Sequence, residues 1–142
     1  MDAPLQSFDP DRFDILLEFC EGTDLSMVEQ IVSQYQEDLI PVLERLERGI
    51  CERDFKKVSD AAHTLKGSGA TFGLLQVEAG GRELQETANA QDLPGVIRWR
   101  DHIANALAVG LPMMEAHLAD LKLGLRRGSR RVVEAASLPL RS

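Results

Sequence analysis

The sequence is poor in aromatic residues, at 5%, and has only two cysteines among its 142 positions. Cys20 and Cys51 stand far apart with no CxxC spacing, so no redox or zinc motif of that type is present. Cys20 falls in phase with Phe13, Leu16 and Leu17 on a helical face; both cysteines are read as packing or surface residues, and no disulfide is expected. No apolar run approaches the roughly 20 residues that span a bilayer. The start, MDAPLQSFDPDRFD, also lacks the basic opening and apolar centre of a secretion signal, so a cytoplasmic protein is expected. There is no GxxxxGK, and GSGATFG fails GxGxxG because Phe72 stands where the third glycine belongs. ATP-dependent self-phosphorylation is therefore not expected. Strict alternation of apolar and polar residues is missing too, which removes strands and leaves an all-α fold.

What is present begins with an uneven charge. Residues 1–121 hold 10 basic and 22 acidic side chains, whereas residues 122–142 hold 6 basic and 1 acidic, within a net charge of −7. An acidic body argues against nucleic acid as a partner, because phosphate binding needs clustered Lys and Arg. The length suits one core. The expected division is a flexible N-terminus over 1–8, a helical bundle over 9–123, and a basic, disordered tail over 124–142.

Asp9 before Pro10 marks a first short helix to about Glu21, with Phe13, Leu16, Leu17 and Cys20 inward. Ser26 and Glu29 form a capping box for a long helix ending near Gly49, bent at Pro41. A third helix starts near Asp54, points Phe55, Val58, Ala62 and Leu65 inward, and ends before Gly73. A fourth runs from Leu74 to about Asn89 with Leu74, Val77, Gly81, Leu84 and Ala88 on one face. QDLPG then starts a last long helix carrying Ile103, Leu107, Leu111, Met114, Leu118 and Leu121, bent at Pro112. Short connections make neighbours antiparallel, giving an up-and-down four-helix bundle with the first helix as a lid.

The segment DAAHTLKGSGATFG, residues 60–73, puts Gly67 and Gly69 inside a helix, where each costs about 1 kcal/mol relative to Ala. Such a cost points to something approaching the backbone. His63, Lys66, Gly67 and Ala70 share a stripe offset from the core stripe, so the imidazole should face solvent or a partner. A neutral imidazole is a nucleophile near neutral pH, an ammonium one turn on stabilises phosphoryl oxygens, and a glycine leaves room for a bulky group. Lys56, two turns earlier, widens the positive field. For Gly69, close helix packing is as good a reading as a functional one.

His63, Lys66, Gly67, Ser68, Gly69, Ala70 and Gly73, in that order and in this helical setting, resemble the histidine-containing phosphotransfer (HPt) family. The resemblance implies that His63 accepts a phosphoryl group from a response-regulator receiver aspartate and passes it to another, with Lys66 steadying it and Gly67 giving access. It also implies that Gln85, on the next helix, holds the imidazole. Gly80 and Gly81 depart from the family pattern, which has a larger apolar residue there; they are expected to loosen the fourth helix. Implied partners are receiver domains and a hybrid sensor histidine kinase, with Mg²⁺ coming from the receiver and an apolar patch of the second and third helices taking a receiver helix. No cofactor of its own and a monomer are expected.

Blander assignments hold elsewhere. His102 and His117 read as surface or groove residues, Trp99 as a packing residue, and Met113 and Met114 as core filler. Asp60 and His63 have the D-x-x-H spacing of di-metal bundles, but such a site needs a second pair, and none appears. The alternative function is a non-transferring helical adaptor that binds or sequesters a receiver domain.

Overall fold

The structure is a computed structural model and describes residues 5–19 and 25–126. Five helices occupy them: α1 (Pro10–Phe19), α2 (Leu25–Glu52), α3 (Phe55–Phe72), α4 (Leu75–Asn89) and α5 (Leu93–Arg126), with no strand among the described residues. Local chemistry explains the boundaries. The Asp54 side chain caps α3 by accepting from the Lys57 amide at 3.1 Å. At its other end Gly73 takes φ 78, and the Leu74 amide donates to Gly69 O at 2.8 Å. The Asp11 amide donates to the Asp9 carboxylate at 3.0 Å, and Pro10 opens α1.

The expected four-helix bundle is what forms. α2 packs against α3 and α5, α3 against α4, and α4 against α5, so the four close into a ring in chain order. Pairs along the α2 and α5 seam run in opposite directions: Arg100 to Glu47 at 2.7 Å, Gln36 to Glu115 at 2.9 Å and Lys122 to Glu29 at 2.6 Å. Inside lie Val28, Leu46, Val58, Leu65, Leu84, Ile103 and Met114, all essentially inaccessible to solvent. Fully burying one such side chain stabilises the fold by about 1.5–3 kcal/mol.

α2, with 28 residues, and α5, with 34, outrun α3 and α4, with 18 and 15. At about 1.5 Å per residue the difference leaves the far ends of the long helices without α3 and α4 beside them. α1 and the residues before it cover this region. Phe8 and Phe13 are buried and set their rings 5.6 and 5.5 Å from that of His117. His117 Nε2 lies 2.7 Å from Asp14 Oδ1, which pins α1 to α5. Of the surface and groove placements expected for His117, the groove is the one found, and there the residue is a clasp for the lid.

Several expectations need correction. Leu5 to Phe8 fall within the stretch assigned to a flexible terminus, yet Phe8 is buried, Gln76 donates to Leu5 O, and the Asp9 amide donates to Gly73 O at 2.8 Å. The apolar Phe8 fills the hollow that the short helices leave. α5 includes 124–126, which fall within the stretch assigned to the tail; residues 127–142, like Cys20, lie outside the described residues. α2 runs past Gly49 to Glu52, because Gly49 is a packing point against Val58 and not a terminator. Pro41 and Pro112, by contrast, sit inside uninterrupted helices, in keeping with the expectation that neither ends its helix. Met114 is buried but Met113 is 44% exposed, since adjacent positions point about 100° apart on a helix.

Gly73 offers a direct check of how α3 is fastened. A Cβ there would stand 2.5 Å from Asp9 O, on a residue already at positive φ. Gly73→Ala should therefore lower the unfolding free energy by about 2 kcal/mol or more, read from urea denaturation. An unchanged midpoint would contradict this placement.

Candidate functional site

α3 presents two faces. Val58, Ala61, Ala62, Leu65, Gly69 and Phe72 are buried, and His63 lies on the opposite side, exposed. Its ring meets no hydrogen-bond partner among the described residues. Gly67, one turn on, is also exposed, and a Cβ built there would meet no atom within 4 Å. An exposed imidazole thus stands beside open space, as the offset of this stripe from the core anticipates.

Lys66 is half-buried and leans towards α4, where its Nζ donates to Gln85 Oε1 at 3.3 Å. Gln85 is therefore brought to the site, but its described partner is the lysine and not the imidazole that the resemblance implied. The backbone explains why. A Cβ on Gly81 would come within 2.8 Å of Lys66 N and 2.9 Å of Lys66 Cα, so α4 rests directly on α3 at this level. Gly80 does the same against α5, where a Cβ would meet His102 Cδ2 at 2.8 Å and Ile103 Cγ1 at 2.9 Å. These two glycines seat the fourth helix closely; they do not loosen it. A glycine inside an apolar stripe, as Gly81 is, already signals such an approach.

The remaining candidates separate in the same way. Gly69 is buried, with Glu78 N, Leu74 O and Val77 Cβ within 3.2 Å of a built Cβ, so its role is close packing. Lys56 pairs with Asp60 at 3.0 Å on the exposed face, which ties up both the added cation and the carboxylate of the D-x-x-H spacing. His102 takes the groove placement of the two expected for it. Its ring packs edge-on to Trp99 at 5.1 Å, and its Nε2 is buried without a partner. Trp99 itself is half-buried, as expected.

The apolar patch expected of the second and third helices takes the form of a groove. Between α2 and α3 lies an apolar groove of about 340 Å³, floored by Tyr35, Leu39, Leu65 and Phe72, with Thr64, the neighbour of His63, on its rim. Tyr35 and Phe72 stack with ring centroids 4.1 Å apart. Burial pushes the Tyr35 phenol up to about 12, so it stays neutral at physiological pH. The Ser68 hydroxyl is near enough to temper that rise but does not meet hydrogen-bond geometry with Tyr35, and it donates to Thr64 O at 2.9 Å. The helical period does not show that the stacked pair of Tyr35 and Phe72 forms part of the wall of an open groove.

The arrangement has parallels in known proteins. Multistep phosphorelay regulator 1 of Schizosaccharomyces pombe is 29% identical over 93 residues, covering 66% of this chain and 32% of that protein. This chain thus spans about a third of that relative's length. The crystal structure of the histidine-containing phosphotransfer protein ZmHP2 from maize aligns with a TM-score of 0.68 at 22% identity, covering 84% of this chain and 87% of the maize chain, a likeness of fold. The family model described as the Hpt domain matches residues 30–109, a stretch that contains His63, Lys66, Gly67 and Gln85. With more than half of its length matched by that model and the helical bundle in place around an exposed histidine, the chain belongs to the Hpt domain family.

Proposed function

We propose that this protein is a phosphorelay intermediate whose carrier group is His63, loaded by the phosphorylated aspartate of one receiver domain and unloaded by the aspartate of another. The observation that carries this is the exposed, unbonded imidazole with an ammonium on one flank and open space at Gly67. In the loading step a ring nitrogen lone pair forms an N–P bond as the acyl P–O bond breaks. The receiver carboxylate leaves with the bonding electrons. Lys66 offsets charge on the phosphoryl oxygens, and the absence of a side chain at Gly67 admits them. Unloading is the reverse, with a second carboxylate as nucleophile.

Receiver domains, and a hybrid sensor kinase upstream, are the partners this chemistry needs, in the cytoplasm. The apolar groove beside Thr64 supports docking of a receiver helix next to His63. We assign the Mg²⁺ of the transfer to the receiver, because no three His, Cys, Asp or Glu side chains converge among the described residues to hold one here. One histidine face per bundle suffices for the task, so a monomer is the working form. No described helix is long and apolar enough to cross a membrane.

The test is incubation with a panel of phosphorylated receivers. Acid-labile, alkali-stable label should pass to this chain and return to a second receiver. Tight receiver binding with no transfer across the panel would instead favour an adaptor that sequesters receivers.

A further inference from the structure

We propose that Gln85 is a positioning residue for the Lys66 ammonium, and that Gly81, one turn earlier on α4, sets the level at which the two meet. This rests on the phosphocarrier reading of His63, and it gives Gln85 a different partner from the imidazole.

The geometry runs from backbone to side chain. At Gly81 the two helices touch, with Lys66 N and Cα within 2.9 Å of where a Cβ would stand. α3 and α4 are joined by a tight connection and run antiparallel, so Gln85, four residues beyond Gly81, stands one turn nearer the start of α3, level with Ala62 and His63. Helical side chains tilt towards their own N-terminus, so the Lys66 stem leans back to that same level. There the ammonium donates to Gln85 Oε1 at 3.3 Å in a half-buried setting. His63 has no comparable contact.

The functional consequence is preorganisation. A free lysine stem samples many rotamers, and an ammonium that must be gathered in after the phosphoryl arrives stabilises it less than one already in place. The Gln85 amide holds the charge on the α4 flank of His63 and leaves the opposite flank, towards the α2 and α3 groove, free for a receiver.

The experiment uses the 142-residue chain as Gln85→Met, Lys66→Met and the double variant, each checked for fold by its amide spectrum. Gln85→Met keeps the length of the side chain and removes the acceptor. In unphosphorylated protein, nuclear magnetic resonance should show the Lys66 Cε and Nζ signals moving in Gln85→Met while the His63 ring ¹⁵N shifts stay put. With phosphoramidate as a small donor, Gln85→Met should label about three- to tenfold more slowly, the worth of one hydrogen bond. Lys66→Met should label more slowly still, and adding Gln85→Met to it should change nothing further, because a residue that acts only through Lys66 has nothing left to position. The assignment is overturned if Gln85→Met slows the Lys66→Met protein as much as it slows the wild type. Displaced His63 ring nitrogens, or unmoved Lys66 signals, overturn it equally. Failure of the wild type to take label from phosphoramidate and receivers alike would remove the phosphocarrier reading. The resonance shifts would still decide between Lys66 and His63 as the partner of Gln85.

Discussion

His63→Gln is expected to reduce phosphoryl labelling of this protein to background, whether the donor is a receiver or a small phosphoramidate, while leaving the fold as stable as before. The amide nitrogen of glutamine has its lone pair delocalised into the carbonyl and offers no nucleophile, so no N–P bond can form. The imidazole is exposed and hydrogen-bonded to nothing described, so its loss should move stability by no more than about 0.5 kcal/mol. Both readouts are needed: label on a denaturing gel after transfer, and a thermal melt of the same preparation. The other two histidines make the experiment sharp. His117 is engaged with Asp14, and His102 is packed against Trp99 with a buried Nε2. Neither has an ammonium and an open face beside it. Label that persists in His63→Gln would move the chemistry to one of these or to a non-histidine residue, and the proposed site would be wrong.

The second large effect comes from treating two glycines alike. Gly67→Leu should give a protein at least as stable as the wild type, and more stable by up to about 1 kcal/mol, because an exposed glycine in a helix interior is replaced by a good helix former whose Cβ meets open space. Its transfer rate should nevertheless fall at least about tenfold, since an isobutyl group would occupy the space beside His63 where phosphoryl oxygens have to stand. Gly81→Ala should do the reverse to stability. Its methyl group would sit within 3.0 Å of three Lys66 atoms, two of them backbone, so α4 has to back away from α3. Overpacking of this kind costs about 1–3 kcal/mol, more than the gain in helix propensity. Urea denaturation and phosphoramidate labelling on both variants separate the two roles. If Gly67→Leu unfolded more easily and still transferred normally, the gap at that position would have no bearing on the chemistry.

Much of the fold is legible in the sequence because helical period, capping and short connections act locally. Asp54 caps α3 and Gly73 ends it where the residue types say they should. The buried face of α4 contains the Val77, Gly81, Leu84 and Ala88 that the period picks out, with Gly80 added to them. His63 and Gly67 are legible for the same reason, since their exposure follows from their offset from the core stripe. What is not legible depends on distances between elements. Whether Gln85 meets the imidazole or the lysine is decided by how closely α4 lies on α3, and that closeness is a property of Gly81 meeting Lys66 across the interface. The sequence marks Gly80 and Gly81 as unusual but not which neighbours they admit. The groove that Tyr35 and Phe72 help to line, and the burial of Phe8 ahead of the first helix, likewise arise only once the helices are assembled in space.

The hold of Asp9 on Gly73 bears on how the module should be cut. The region matched by the family model opens at residue 30, yet Phe8 and Phe13 are part of the same apolar interior as α3 and α5. A fragment excised at that boundary would strip the plug from one end of the barrel of helices and remove the Asp9 amide from Gly73 O, at the end of the very helix that bears His63. The smallest self-sufficient piece therefore reaches back past Phe8, and a graft of this transfer module into another protein should carry that leading stretch with it.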